Sequence, residues 1–151
     1  MSEIENANVK VRGRKNANVK IIAAVIFVAL CVGIYFAANY IYQLSEYKKR
    51  IASVSVSNVD FSKIPDGSYT GSYDAIMIAA KVRVNIINHQ INGIGLIYHK
   101  NERGKKAEAI LNEIKTAQSL KVDTITGATN SSKVILKAVQ NALNSGLDTK
   151  Q

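Results

Sequence analysis

Residues 81–98, KVRVNIINHQINGIGLIY, decide how this chain folds. Val82, Val84 and Ile86 fall on one face and Lys81, Arg83 and Asn85 on the other, the period of two that a half-buried strand requires. Asn88-His89-Gln90 supplies a hairpin turn, and the chain returns with Ile94, Leu96 and Tyr98 in step. Gly93 and Gly95 thin the returning strand, which predicts a bulge or the close approach of another group. Upstream, Tyr69, Gly71 and Tyr73 alternate with Ser68, Thr70 and Ser72. That strand is entered through Ile64-Pro65-Asp66-Gly67, in which proline fixes one dihedral and glycine accepts a positive φ.

Downstream the period changes to that of a helix. Over residues 105–120, Ala107, Ile110, Leu111, Ile114 and Ala117 form one apolar stripe. Residues 132–144 repeat it with Val134, Ile135, Ala138, Val139 and Ala142. Gly146 follows as a C′ residue, with Asn130 or Ser131 as the N-cap. The expected class is α+β, a small antiparallel sheet packed by two helices.

Before this domain lies residues 21–42, IIAAVIFVALCVGIYFAANYIY, with no charge between Lys20 and Glu46. A helix of that length spans about 33 Å, enough to cross a hydrocarbon core of about 30 Å. Tyr35, Tyr40 and Tyr42 gather at one end, as an interfacial belt would. A cleaved signal peptide is the competing reading, but the apolar run is long and no Ala-x-Ala site follows it. Cys31 is not a lipoprotein cysteine, because Leu30 stands where a small residue is needed. The expected organisation is a disordered cytoplasmic tail at 1–20, a transmembrane helix at 21–42 and a tether at 43–63. The domain then occupies 64–146 and a short tail 147–151. Lys10, Arg12, Arg14, Lys15 and Lys20 precede the span and Lys48, Lys49 and Arg50 follow it, so the positive-inside rule puts the N-terminus in the cytoplasm and the domain outside.

Net charge is +9, and residues 43–151 carry 15 Lys and Arg against 9 Asp and Glu. A basic domain attracts nucleic acid, anionic membrane lipid or a phosphorylated cofactor. Outside Lys48-Lys49-Arg50 the positive charges are scattered, which argues against nucleic acid and makes most of these lysines an ordinary soluble surface. The single cysteine lies in the span and there are only two histidines, His89 and His99. The exported part therefore has no thiolate for an iron–sulfur or zinc site, and metal catalysis and Ser-His-Asp chemistry are poorly supplied, so no metal site is expected. Redox chemistry, if present, must come from an organic cofactor.

One run remains, Asp123-Thr124-Ile125-Thr126-Gly127-Ala128-Thr129, just ahead of the second helix. A hydroxyl, two small residues and a helix N-terminus together suit a phosphate group. The free N–H groups of the first turn and the helix dipole stabilise one negative charge there. The bland reading is an ordinary turn entering a capped helix.

The pattern Asp-x-x-Thr-Gly-Ala-Thr resembles the attachment signal of the FMN-binding domain family. Asp66-Gly67-Ser68-Tyr69-Thr70-Gly71 looks like that family's opening, and 82–94 and 131–143 resemble its hairpin and last helix. The resemblance covers about residues 64–144. It implies FMN esterified to Thr129 by a separate flavin transferase that uses FAD, with Asp123, Thr126, Gly127 and Ala128 as recognition sequence and Ser131 nearby. Small membrane-anchored flavoproteins of extracellular electron transfer are the most similar members. By that likeness the chain is an electron carrier, not a stand-alone enzyme, between a membrane dehydrogenase or quinol and an exported acceptor. The family's His-x-Glu-Thr segment reads His99-Lys100-Asn101-Glu102 here, so His99 and Glu102 are candidate flavin contacts, with Lys100 or Arg103 offsetting charge. Tyr69, Tyr73 and Tyr98 are candidate stacking residues. Two other readings stand beside this one: a cofactor-free accessory or assembly domain, and a flavin reductase acting directly on a small molecule, for which no Gly-rich dinucleotide fingerprint is visible.

Overall fold

The computed structural model describes residues 2–101 and 104–148, with side chains described from residue 19 onward. The chain divides into two compact units, Met1–Tyr42 and Gln43–Gln151. Helix α1 spans Ser2–Ser53. Within Val19–Ser53 it contains a window long and apolar enough to cross a membrane by length and composition, none of it buried. The polar segment expected to be disordered is helical here. It adjoins an apolar helix already formed, so extending it needs no new nucleus.

The second unit holds β1 (Gly67–Asp74), β2 (Ala79–Ile87), β3 (Gln90–Lys100), α2 (Ile110–Ala117) and α3 (Thr129–Asp148). The sheet is antiparallel in the order β1-β2-β3. Val82, Val84 and Ile86 are fully buried, at 1% exposure or less, against Val134, Ile135, Ala138, Val139, Ala142 and Leu143 of α3. Helix and sheet approach closely because Gly71 lies against the backbone of Ala138 and Ala142. A side chain there would overpack the interface.

Two bulges interrupt β3. Lys81 pairs with Tyr98 while Val82 pairs with Leu96, and Asn85 pairs with Gly93 while Ile86 pairs with Ile91. Ile97 and Asn92 are the extra residues. The first bulge reverses the alternation beyond it, so Tyr98 is exposed rather than in step with Leu96, and the His99 side chain is turned inward at 3% exposure. The open edge of β3 is closed by a side chain. Gln118 ends α2 in the left-handed conformation at φ 46. Its amide donates to the Ile91 carbonyl (2.9 Å) and accepts from the Ile91 N–H (2.8 Å), as a neighbouring strand would.

Helix boundaries differ from the expected ones. The first helix opens as a 3-10 segment, Lys105–Ala109, and α2 stops at Ala117. Helix α3 begins at Thr129, which makes neither Asn130 nor Ser131 an N-cap, and it runs through Gly146. Gly146 is a packing glycine rather than a C′ residue: a β-carbon there would meet Ile64 Cγ2 at 2.7 Å and the Tyr69 ring at 2.9 Å. The segment expected to be a tether is bound to the domain. Lys137 Nζ donates to the Ser55 carbonyl (3.1 Å), Gln140 Nε2 to Ser57 Oγ (2.6 Å), and Asn58 Oδ1 accepts from the Leu120 N–H (3.0 Å). Ile51, in the last turn of α1, is 7% exposed and belongs to the core.

The β2–β3 turn puts Asn88 (φ 53) and His89 (φ 59) both in the left-handed region, the type I′ arrangement that glycine ordinarily eases. Asp66 compensates by accepting from the Asn88 N–H (2.9 Å) and the His89 N–H (3.2 Å). These bonds, Asn88 first and His89 second, hold its carboxyl below the usual value of 3.8. A depressed folded pKa gives stability that is present above the unfolded pKa and lost as pH falls through the folded one. Asp66→Ala should therefore unfold at lower urea than wild type at neutral pH, with the gap closing below about pH 4. A gap that stays constant down to full carboxylate protonation would show that the turn does not depend on this charge.

Candidate functional site

The chain leaves α2 at Gln118 and reaches α3 through a loop that ends in a tight turn. The Ala128 N–H donates to the Ile125 carbonyl at 2.9 Å, closing a four-residue turn with Gly127 at φ 77 in its third position. That position of a type II turn demands a positive φ, which explains the glycine. Ser132, wholly buried, then ties the turn to the helix. Its Oγ accepts from the Ile125 N–H (3.1 Å), and its own N–H donates to the Ala128 carbonyl (2.9 Å).

Thr129 is the first residue of α3 and is exposed. The N–H groups of Thr129, Asn130 and Ser131 are those that helix geometry leaves without an intrahelical acceptor. These three residues border a cleft of about 400 Å³ lined by Tyr47, Ile78, Gly104, Gly127, Ala128, Thr129, Asn130 and Ser131. None of these carries a charged side chain, and the first turn of α3 contains no acidic residue. Among the described residues, no acidic side chain lining the cleft opposes the positive end of this 20-residue helix. Gly104 crosses directly over Ser131, whose Oγ occupies the place a β-carbon on Gly104 would take. Ser131 itself is 2% exposed.

Of the residues singled out in the sequence, Gly127, Ala128, Thr129 and Ser131 come together here. Asp123 does not: it is exposed and borders a separate hollow with Asn112, Glu113, Thr116 and Lys121. Thr126 is exposed on the turn and outside the lining. His99 is likewise outside it. Its Nδ1 lies 3.1 Å from Glu108 Oε1 and 3.3 Å from Asn101 Nδ2, and its Nε2 is buried with no partner among the described residues. The ring fastens the end of β3 to the 3-10 segment before α2. Glu102 and Arg103 lie outside the described residues. Lys100 donates to the Ile76 carbonyl at 2.6 Å.

The aromatic residues sort differently from expectation. Tyr69 donates to the Pro65 carbonyl (2.8 Å), Tyr73 packs on the core and Tyr98 faces solvent, so none lines the cleft. Tyr47 does. The sequence reading also missed Ile78 and Gly104 and took Asn130 only as a cap. Among the described residues no cluster of His, Cys, Asp or Glu is arranged to hold a metal.

A small domain with a solvent-accessible cleft at a helix N-terminus, lined among the described residues by no charged side chain, is suited to an organic cofactor bearing a phosphate. Residues 78–144 match the family model described as FMN-binding domain. This segment is a member of that family, and FMN is the cofactor the family implies. The match takes in every lining residue of the cleft except Tyr47. No curated protein matches the chain. The site fits the group on its own terms as well: a cleft of about 400 Å³ with Ile78, Ala128 and Tyr47 on its walls, beside the N–H groups that open α3, suits a ring system with an anionic tail.

Ser132→Ala should cost about 1–2 kcal/mol, because it strands the part-buried Ile125 N–H. The matching observation is a lower melting temperature together with faster amide exchange at Ile125. Unchanged exchange there would mean that the turn is held by other contacts.

Proposed function

We propose that this chain is a membrane-anchored flavoprotein electron carrier whose FMN is joined through its phosphate to Thr129. The observation that carries this reading is the exposed Thr129 hydroxyl at the first position of α3, on the rim of the cleft in the FMN-binding segment. A separate flavin transferase would form the ester from FAD, with the Thr129 oxygen replacing AMP at the flavin-bearing phosphorus. The exposed Asp123 and Thr126 fit recognition by that transferase better than contact with the cofactor, since a carboxylate beside a phosphodiester is repulsive.

Six of the cleft residues have a direct part in this scheme. Thr129 serves as the tether. The Thr129, Asn130 and Ser131 N–H groups offset the remaining phosphate charge, and Gly127 allows the backbone to approach it. Gly104 and Ser131 shape the floor, while Ile78 excludes water on one side. FMN, when bound, supplies one-electron and two-electron transfer; the domain supplies exposure and tuning. A tether also keeps the cofactor at high effective concentration whatever its intrinsic affinity, which matters for a domain facing a dilute exterior. The donor would be a membrane dehydrogenase or quinol, and the acceptor an exported redox protein or oxidant.

Thr129→Ala, co-expressed with a flavin transferase, should fold as wild type but lose the FMN increment in intact mass. The same increment in both proteins would move the attachment elsewhere.

The anchor reading rests on the apolar window of α1, and the outward placement of the domain on the five basic residues before it. Of the three cations after it, Lys49 pairs with Glu46 at 2.8 Å and Arg50 donates to the Asp74 carbonyl at 3.3 Å. External protease added to intact cells should cleave the chain beyond Tyr42; protection until lysis would reverse the orientation.

A further inference from the structure

The matched segment begins at Ile78, yet the cleft has a wall that comes from the other end of the chain. The last turns of α1 belong to the folded domain rather than to the apolar unit. Ile51 is in the core and Arg50 reaches the Asp74 carbonyl. Tyr47, one turn earlier, is half-buried, packs against the core cluster and lines the cleft. Its hydroxyl accepts a hydrogen bond from Asn130 Nδ2 at 2.9 Å across 83 positions of sequence. Asn130 directly follows Thr129, so the residue next to the tether point fixes the phenol ring.

We propose that Tyr47 is the aromatic wall of the cofactor cleft and sets the electronic environment of the flavin ring. The inference rests on the flavin reading given above. Tyr47 is the one aromatic residue among the described residues lining the cleft, whose other surfaces are aliphatic, glycine or polar. A flat, electron-poor ring held in such a cleft gains most from a flat aromatic neighbour. The phenol oxygen accepts from Asn130, and its own proton remains available to donate to an acceptor placed in the cleft. The second consequence is redox tuning. An electron-rich π face disfavours negative charge beside it, so Tyr47 stabilises the oxidised over the reduced form. Tyr47 is thus a specificity and tuning residue supplied by the anchor helix, outside the segment that defines the family.

The test uses the full chain in detergent, co-expressed with a flavin transferase, and compares wild type with Tyr47→Leu, Tyr47→Phe and Tyr47→Trp. Intact mass first establishes the FMN increment. Its absence from wild type defeats the flavin reading and this inference with it. With the increment present, Tyr47→Leu should raise fluorescence per bound flavin several-fold. It should also shift the oxidised–reduced equilibrium toward the reduced form by about tenfold, or about 30 mV upward for a two-electron couple. Tyr47→Phe should keep most of the quenching. Where Tyr47→Leu fails to fold or to accept FMN, Tyr47→Trp decides, because its richer ring should deepen the quenching relative to wild type. Flavin attached in full, with fluorescence and potential unchanged in Tyr47→Leu, or unchanged fluorescence in Tyr47→Trp where that variant decides, overturns the inference while leaving the Thr129 attachment intact.

Discussion

The hydrogen bond from the Ile125 N–H to the buried Ser132 hydroxyl fixes the geometry on which the site depends. It folds the incoming loop back onto the first turn of α3, so the chain turns sharply at Gly127 and delivers Thr129 at the helix's positive end. The Ser132 N–H returns a bond to the Ala128 carbonyl, and Ile125 packs against the core beside them. The helix in turn is held by the close approach of Gly71 to Ala138 and Ala142 and by the seat of Gly146 on Ile64 and Tyr69. Two glycines on opposite sides of the interface therefore set how deeply α3 sits in the sheet, and the cleft inherits its position from them.

Much of the fold was legible because its signals are local. Alternation in residues 82–86 gives the central strand directly, and the stripe from Val134 to Ala142 gives the helix that covers it. The glycines of β3 announced irregularity, and two bulges are present. What local pattern does not carry is the effect of a bulge on the residues after it: one unpaired residue, Ile97, exchanges the faces of Tyr98 and His99. Gly146 was misread for a related reason. A glycine near a helix end serves equally as a cap or as a contact, and the deciding neighbours, Ile64 and Tyr69, are distant in sequence.

The same division runs through the site. Gly127, Ala128, Thr129 and Ser131 are contiguous, and their chemistry could be read as a unit. Tyr47 and Gly104 reach the cleft only through tertiary structure, and no spacing rule connects them to Thr129. Asp123 shows the converse. It is close in sequence to Thr129 and yet borders a different hollow, because the turn at Gly127 redirects the chain between them.

The integration of the end of α1 with the domain gives the architecture its functional sense. A chain segment that could have been a loose leash is instead strapped along α3 by Lys137 and Gln140 and contributes Tyr47 to the cleft. The central claim remains that one hydroxyl at a helix start carries the coenzyme, and peptide mapping of the protein from its native membrane tests it most directly. The account predicts that the tryptic fragment spanning residues 122–133 carries the mass of FMN less water, with fragmentation placing it on Thr129. That fragment recovered unmodified, from protein shown to be intact and full-length, would contradict it.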